Sequence, residues 1–110
     1  MKIDFKQLEF IDKELRNILY FLETNTGLEF TCTSLFRIGD KGVHGTLPLR
    51  AVDLRMRDKA IGSMCESLIN ANRKYDPERP EKKCAFLHGE GRNMHLHVQV
   101  HPNTVPVKYG

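Results

Sequence analysis

Apolar residues near the start of the chain recur at steps of three and four: Phe5, Leu8, Ile11, Leu15, Ile18 and Leu22. That period belongs to one face of a helix. Asp4 followed by Gln7 has the form of a capping box, and Thr24-Asn25-Thr26-Gly27 supplies a stop. The pattern therefore predicts a helix over about 5–24. The period then changes to two. In LEFTCTSLF (28–36), Leu28, Phe30 and Cys32 alternate with Glu29, Thr31 and Thr33, which predicts a half-buried strand. RAVDLRM (50–56) predicts a second strand, with Ala51, Asp53 and Arg55 on one face and Val52, Leu54 and Met56 on the other. Between these strands, Arg37 to Pro48 holds three glycines, a proline and His44, a long irregular connection of the kind that usually carries function.

Asp58 is expected to open a second helix running to about Tyr75, with Ile61, Met64, Cys65, Leu68 and Tyr75 turned toward the core and Asp76-Pro77 ending it. DPERPEKK (76–83) reads as a surface loop. CAFLH (84–88) and MHLHVQV (94–100) read as strands joined by GEGRN, whose glycines suit a hairpin turn. The tail after Pro102 is expected to lie across the domain or to fray. Helix, strand, long loop, strand, helix and hairpin in that order describe an α+β domain with an antiparallel sheet and two main helices.

Composition narrows this picture only a little. The 110 residues are enough for one domain, 1–110, and 40% hydrophobic with 28% charged residues excludes a disordered or fibrous chain. The net charge of +3 is spread along the sequence, so no nucleic-acid partner is expected; an anionic or carboxylate-bearing ligand suits the same balance. Acidic residues interrupt every apolar run in MKIDFKQLEF, so neither a signal peptide nor a membrane span is expected, and the expected location is cytoplasmic. Cys32, Cys65 and Cys84 are odd in number and widely spaced, which points to reduced thiols rather than a disulfide framework or a cysteine zinc cluster.

The chemistry lies in MHLHVQV. Successive side chains of a strand point to opposite faces, so His95, His97 and Gln99 share one side while Leu96, Val98 and Val100 share the other. Two imidazoles on one face could serve a metal if further ligands came from elsewhere. His44 in the glycine-rich loop and Asp53 on the preceding strand are the candidates. Two histidines and a carboxylate that leave one tetrahedral position open form the arrangement of catalytic zinc.

TSLFR (33–37), VHGTLPLRAVDLR (43–55) and HLHV (95–98) together resemble the three motifs of the LAS zinc peptidases. That group holds D-alanyl-D-alanine carboxypeptidases and dipeptidases and phage L-alanyl-D-glutamate endolysins. The resemblance spans 28–100 and includes the family's helix between the second and third motifs. It implies the hedgehog/D-Ala-D-Ala peptidase-like architecture, with zinc held by His44, Asp53 and His97. Arg37 would hold a substrate carboxylate or carbonyl, and His95 would stand beside the metal. The family's general base, an Asp or Glu three residues before the last zinc ligand, falls on Met94 here, which leaves Glu90 or His95 for that role.

The function so implied is hydrolysis of D-amino-acid-containing peptides of bacterial peptidoglycan by a small phage or prophage-type enzyme, released by a holin, a virion or lysis. A catalytically inactive zinc-binding domain on the same fold is the alternative. An HUH-type single-strand DNA nickase comes third, because it needs a helical tyrosine nucleophile near the metal. Tyr20 and Tyr75 are the helical candidates, and that reading leaves 43–55 without a purpose. His88 and His101 are expected to be solvated, and Arg50 and Arg55 to pair with nearby carboxylates.

Overall fold

An aspartate opens each of the two main helices. Asp12 Oδ1 accepts the backbone N–H groups of Glu14 at 2.8 Å and Leu15 at 3.4 Å, and helix α1 runs over Lys13–Thr26. Gly27, at φ 69°, closes it by donating its N–H to the Glu23 carbonyl. Asp58 Oδ1 does the same for Ala60 and Ile61 at the start of α2, Lys59–Asn72. These side-chain oxygens satisfy N–H groups that have no partner within the helix. The computed structural model describes residues 11–35 and 50–107. Within these, β1 (Cys32–Leu35) and β2 (Ala51–Arg55) precede α2; β3 (Arg73–Lys74), β4 (Ala85–His88), β5 (His95–Gln99) and β6 (Val105–Pro106) follow it.

Four strands form one antiparallel sheet in the order β1-β2-β5-β4, and β3 with β6 makes a separate two-stranded ribbon. Val52, Leu54, Ala85, Leu96 and Val98, all fully buried, form the sheet's apolar face. Leu15, Ile18 and Leu22 of α1 and Cys65 and Ile69 of α2 pack in the same core cluster, so both helices lie on that side. Gly62 lets α2 come close: a Cβ there would meet Leu87 Cδ1 at 2.8 Å. The outer edge of β4 is also joined to α2. Asn70 accepts the Ala85 N–H at 3.0 Å and donates to the Ala85 carbonyl at 2.8 Å, while Glu66 accepts the Leu87 N–H at 2.6 Å. The three cysteines are free, with Cys65 and Cys84 buried. Among the described residues no helix is long and apolar enough to cross a membrane.

The α+β class and the antiparallel sheet with two main helices are as expected, and several boundaries move. The helix expected over 5–24 starts at Lys13 behind the Asp12 cap; the Asp4–Gln7 box lies outside the described residues. Ile11 is buried without being helical, so the apolar period runs across the cap and hides it. The first strand is shorter than 28–36, and Leu28 is exposed while Phe30 is buried. The second helix stops at Asn72, not Tyr75, because Arg73 is extended and Arg73–Lys74 pair with Val105–Pro106. Met64 is 43% exposed; Gly62, Cys65 and Ile69 make the buried stripe. The tail is tied down, with Val107 N–H on the Asn72 carbonyl and the Thr104 hydroxyl on the Tyr75 carbonyl.

Candidate functional site

The face of the sheet turned away from the helices carries two cross-strand rows. Asp53 of β2, His97 of β5 and Phe86 of β4 stand opposite one another, and beside them Arg55, His95 and His88 do the same. The period of two that buries Leu54, Leu96 and Val98 sends these residues to the opposite side. Neighbouring strands lie about 4.8 Å apart, so side chains within a row are in reach of each other.

The first row is tightly arranged. His97 Nδ1 lies 2.9 Å from Asp53 Oδ1, and the two side chains are 11% and 17% exposed. The His97 ring is stacked parallel to Phe86, with centroids 5.3 Å apart and an interplanar angle of 3°. On its other edge, Nε2 faces Gln99 Oε1 at 3.3 Å. Gln99 is itself held by donating Nε2–H to the Lys83 carbonyl at 3.0 Å. Carboxylate, aromatic plane and anchored amide thus define both the plane and the rotation of one imidazole.

The second row is more open. His95 Nδ1 is 3.0 Å from the Asn93 carbonyl, which can only accept, so Nδ1 carries the proton and the neutral ring keeps its lone pair on Nε2. His88 lies against His95 with centroids 5.4 Å apart, and edge-on to His97 at 6.2 Å. The turn fixes the Asn93 carbonyl that holds His95. Gly89, at φ 81°, approaches it so closely that a Cβ would stand 2.5 Å from that oxygen.

Of the residues singled out in the sequence, Asp53, His97 and His95 gather on this face. Glu90 sits exposed in the turn between β4 and β5, at the end of the sheet that bears His88 and His95. His44 and Arg37 lie outside the described residues. Among the described residues no group of three or more His, Cys, Asp or Glu side chains is disposed to hold a metal ion. Asp53 and His97 supply two adjacent donors. Their 2.9 Å separation is close to the edge of a zinc tetrahedron, about 3.3 Å for metal–ligand bonds near 2 Å. One carboxylate oxygen and one imidazole nitrogen are donor types that zinc accepts. With a metal on Nδ1, Nε2 would carry the ring proton and face the Gln99 oxygen, the usual outer support of a ligating histidine.

His88 is exposed, as expected, yet stacked on His95; Gln99 was expected on this face but given no role, and Phe86 was given none. The cue was the hairpin register, since pairing across Gly89–Asn93 sets Phe86 opposite His97 and His88 opposite His95. His101 is half-buried against Tyr75, with its Nδ1 accepting the Asn103 N–H, instead of being solvated. Arg50 Nε lies 3.8 Å from Asp12, the α1 cap, rather than beside a carboxylate of this face, and among the described residues it has no hydrogen-bond partner; Arg55 lines an open pocket. The chain matches no protein-family model, and no curated protein or solved structure is significantly similar to it.

Proposed function

We propose that this protein is a zinc peptidase of the LAS type that hydrolyses D-amino-acid-containing peptides of bacterial peptidoglycan, acting as a small phage or prophage lytic protein. The observation that carries the reading is the meeting of Asp53 and His97 at 2.9 Å. One comes from the second motif and the other from the third, and they stand in register on neighbouring strands with no apolar reason to be there. His44, Asp53 and His97 would hold the metal. Bound zinc supplies polarisation of the scissile carbonyl and a water acidic enough to react near neutral pH.

The chain's own groups divide the remaining work. Phe86 and Gln99 keep the His97 ring from turning, so the ligand is oriented before metal or substrate arrives. His95, with its Nδ1 proton committed to Asn93, offers Nε2 to take a proton from the attacking water and return it to the leaving amine. Glu90, in the adjoining turn, is the other candidate for that base. Arg37 would anchor a substrate carboxylate through its planar fork.

A second reading, a zinc-binding domain that cuts nothing, is favoured by one observation. Met94, at the position of the family's acidic base, is only 7% exposed and packs in the core, so no carboxylate is offered from that place. The nickase reading loses ground, because both helices lie on the apolar side of the sheet, away from the histidines. Tyr20 is 74% exposed on α1, and Tyr75 is buried beside His101.

The test is metal content of the purified protein beside Asp53→Ala, His97→Ala and His44→Ala, followed by release of new amino groups from purified peptidoglycan. About one zinc per chain, lost in each variant, with cleavage by the parent supports the peptidase. Zinc without cleavage selects the second reading. A parent that binds no zinc when zinc is supplied in excess overturns both.

A further inference from the structure

Beyond His95 the polar face runs out into arginines. Arg55 closes β2, Arg57 follows it, and Arg92 stands in the turn of 3-10 helix Gly91–Asn93 between β4 and β5. With Gly91 they line an open pocket of about 700 Å3, and all three are exposed. No acidic residue is among the described residues that line it. In sequence, Asp58 follows Arg57 directly and Glu90 precedes Gly91. Asp58 Oδ1 is occupied by two N–H groups of α2, and Glu90 lies in the exposed turn. Among the described residues none of the three guanidiniums takes part in an ion pair. A smaller pocket of about 310 Å3 shares Arg55 and Arg57 and adds Glu29 and Asp58 to its wall, which leaves the Arg92 side the more cationic.

Three like charges around one cavity repel each other, and an anion bound among them turns that repulsion into attraction. A guanidinium presents two parallel donors that match the two oxygens of a carboxylate. The position relative to the first row says which carboxylate. Arg55 is two residues along β2 from Asp53, about 7 Å at the rise of a strand, and stands opposite His95. An extended peptide presented to Asp53 and His97 would therefore bring a group one or two residues away over the arginines.

We infer that Arg55, Arg57 and Arg92 form an accessory subsite that binds a free carboxylate on the substrate peptide, one or two residues from the bond to be cut. This rests on the peptidase reading of the neighbouring face. It adds a preference that reading does not contain: substrate peptides whose carboxylate at that position is free bind better than those in which it is amidated.

The experiment titrates the whole protein, by calorimetry, with a synthetic stem peptide carrying that carboxylate free, with the same peptide amidated, and with inorganic phosphate. The free acid is expected to bind about tenfold more tightly than the amide. Arg57→Gln and Arg92→Gln each reduce that advantage about fivefold, Arg55→Lys reduces it less, and Lys82→Gln, exposed on a different loop, leaves it intact. Unfolding midpoints of the variants confirm that they fold. Equal binding of the two peptides, no binding of either, or an advantage untouched by the arginine variants overturns the inference. Phosphate binding more tightly than the free acid also overturns it and assigns the pocket to phosphoryl groups. Preference without cleavage leaves the subsite standing while the enzymatic reading falls; cleavage indifferent to amidation does the reverse.

Discussion

Asp53 and His97 face each other across β2 and β5 with 2.9 Å between carboxylate and imidazole, and their side chains are 17% and 11% exposed. Forty-four positions separate them in the chain. Their meeting therefore depends on strand register.

This pair should be energetically coupled even without metal. A double-mutant cycle of Asp53→Ala and His97→Ala, followed by urea unfolding of metal-free protein, is expected to give a coupling of about 1 kcal/mol. Added zinc should raise the unfolding midpoint of the parent and of neither single variant, since only a ligand that favours the folded state stabilises it. Additive single-variant effects would mean that the 2.9 Å contact carries no energy.

Gly89→Ala should disturb His95 without touching it. The new Cβ would stand 2.5 Å from the Asn93 oxygen, at a φ that alanine rarely adopts, so the carbonyl must move away from His95 Nδ1. The expected result is a loss of about 1–3 kcal/mol and a changed His95 ring resonance in NMR spectra, with the His101 resonance unchanged. A His95 signal that stays in place would separate the turn from the ring.

Asn70→Ala removes both partners of the Ala85 backbone at once. Leaving that N–H and carbonyl unsatisfied should cost about 1–3 kcal/mol. Hydrogen exchange at the Ala85 amide should accelerate more than exchange at Val98, which lies inside the sheet. Equal acceleration at both sites would indicate global destabilisation instead.

The thiols should titrate unequally. Burial pushes the Cys84 thiol up to about 12 and raises Cys65 as well, whereas Cys32 is partly exposed. Because the folded value for Cys84 lies above that of an unfolded thiol, about 8.5, its contribution to stability is complete below that pH. It is lost progressively as pH rises toward 12. Cys32 should be alkylated first in native protein, Cys65 and Cys84 only on unfolding, and Cys84→Ala should flatten the alkaline fall in stability. Rapid native labelling of Cys84 at pH 8 would contradict this.

The alternation in RAVDLRM and MHLHVQV made the two faces of β2 and β5 readable, and with them the side on which Asp53, His95 and His97 lie. Their mutual approach was less so, because period two assigns a face and says nothing about which residues stand opposite across strands of distant sequence. The hairpin was the exception: its short turn fixes the register, and Phe86 and His88 could have been placed from it. The helix start was obscured because Ile11 stays in the core outside the helix. The early end of α2 was invisible from its own pattern, since it is set by the partner strand Val105–Pro106 more than thirty residues later. The arginine pocket joins the end of β2 to a turn that follows β4, and no local pattern links them.

Glu66 and Asn70 do for the rim of β4 what a fifth strand would do. Two side chains on successive turns of α2 occupy the hydrogen-bonding groups that another chain would use to extend the sheet. A newly made molecule is exposed to edge-to-edge association on that side only until α2 docks. Folding of one helix thus ends a window for aggregation, and substitutions at Glu66 or Asn70 would lengthen it even where the finished fold survives.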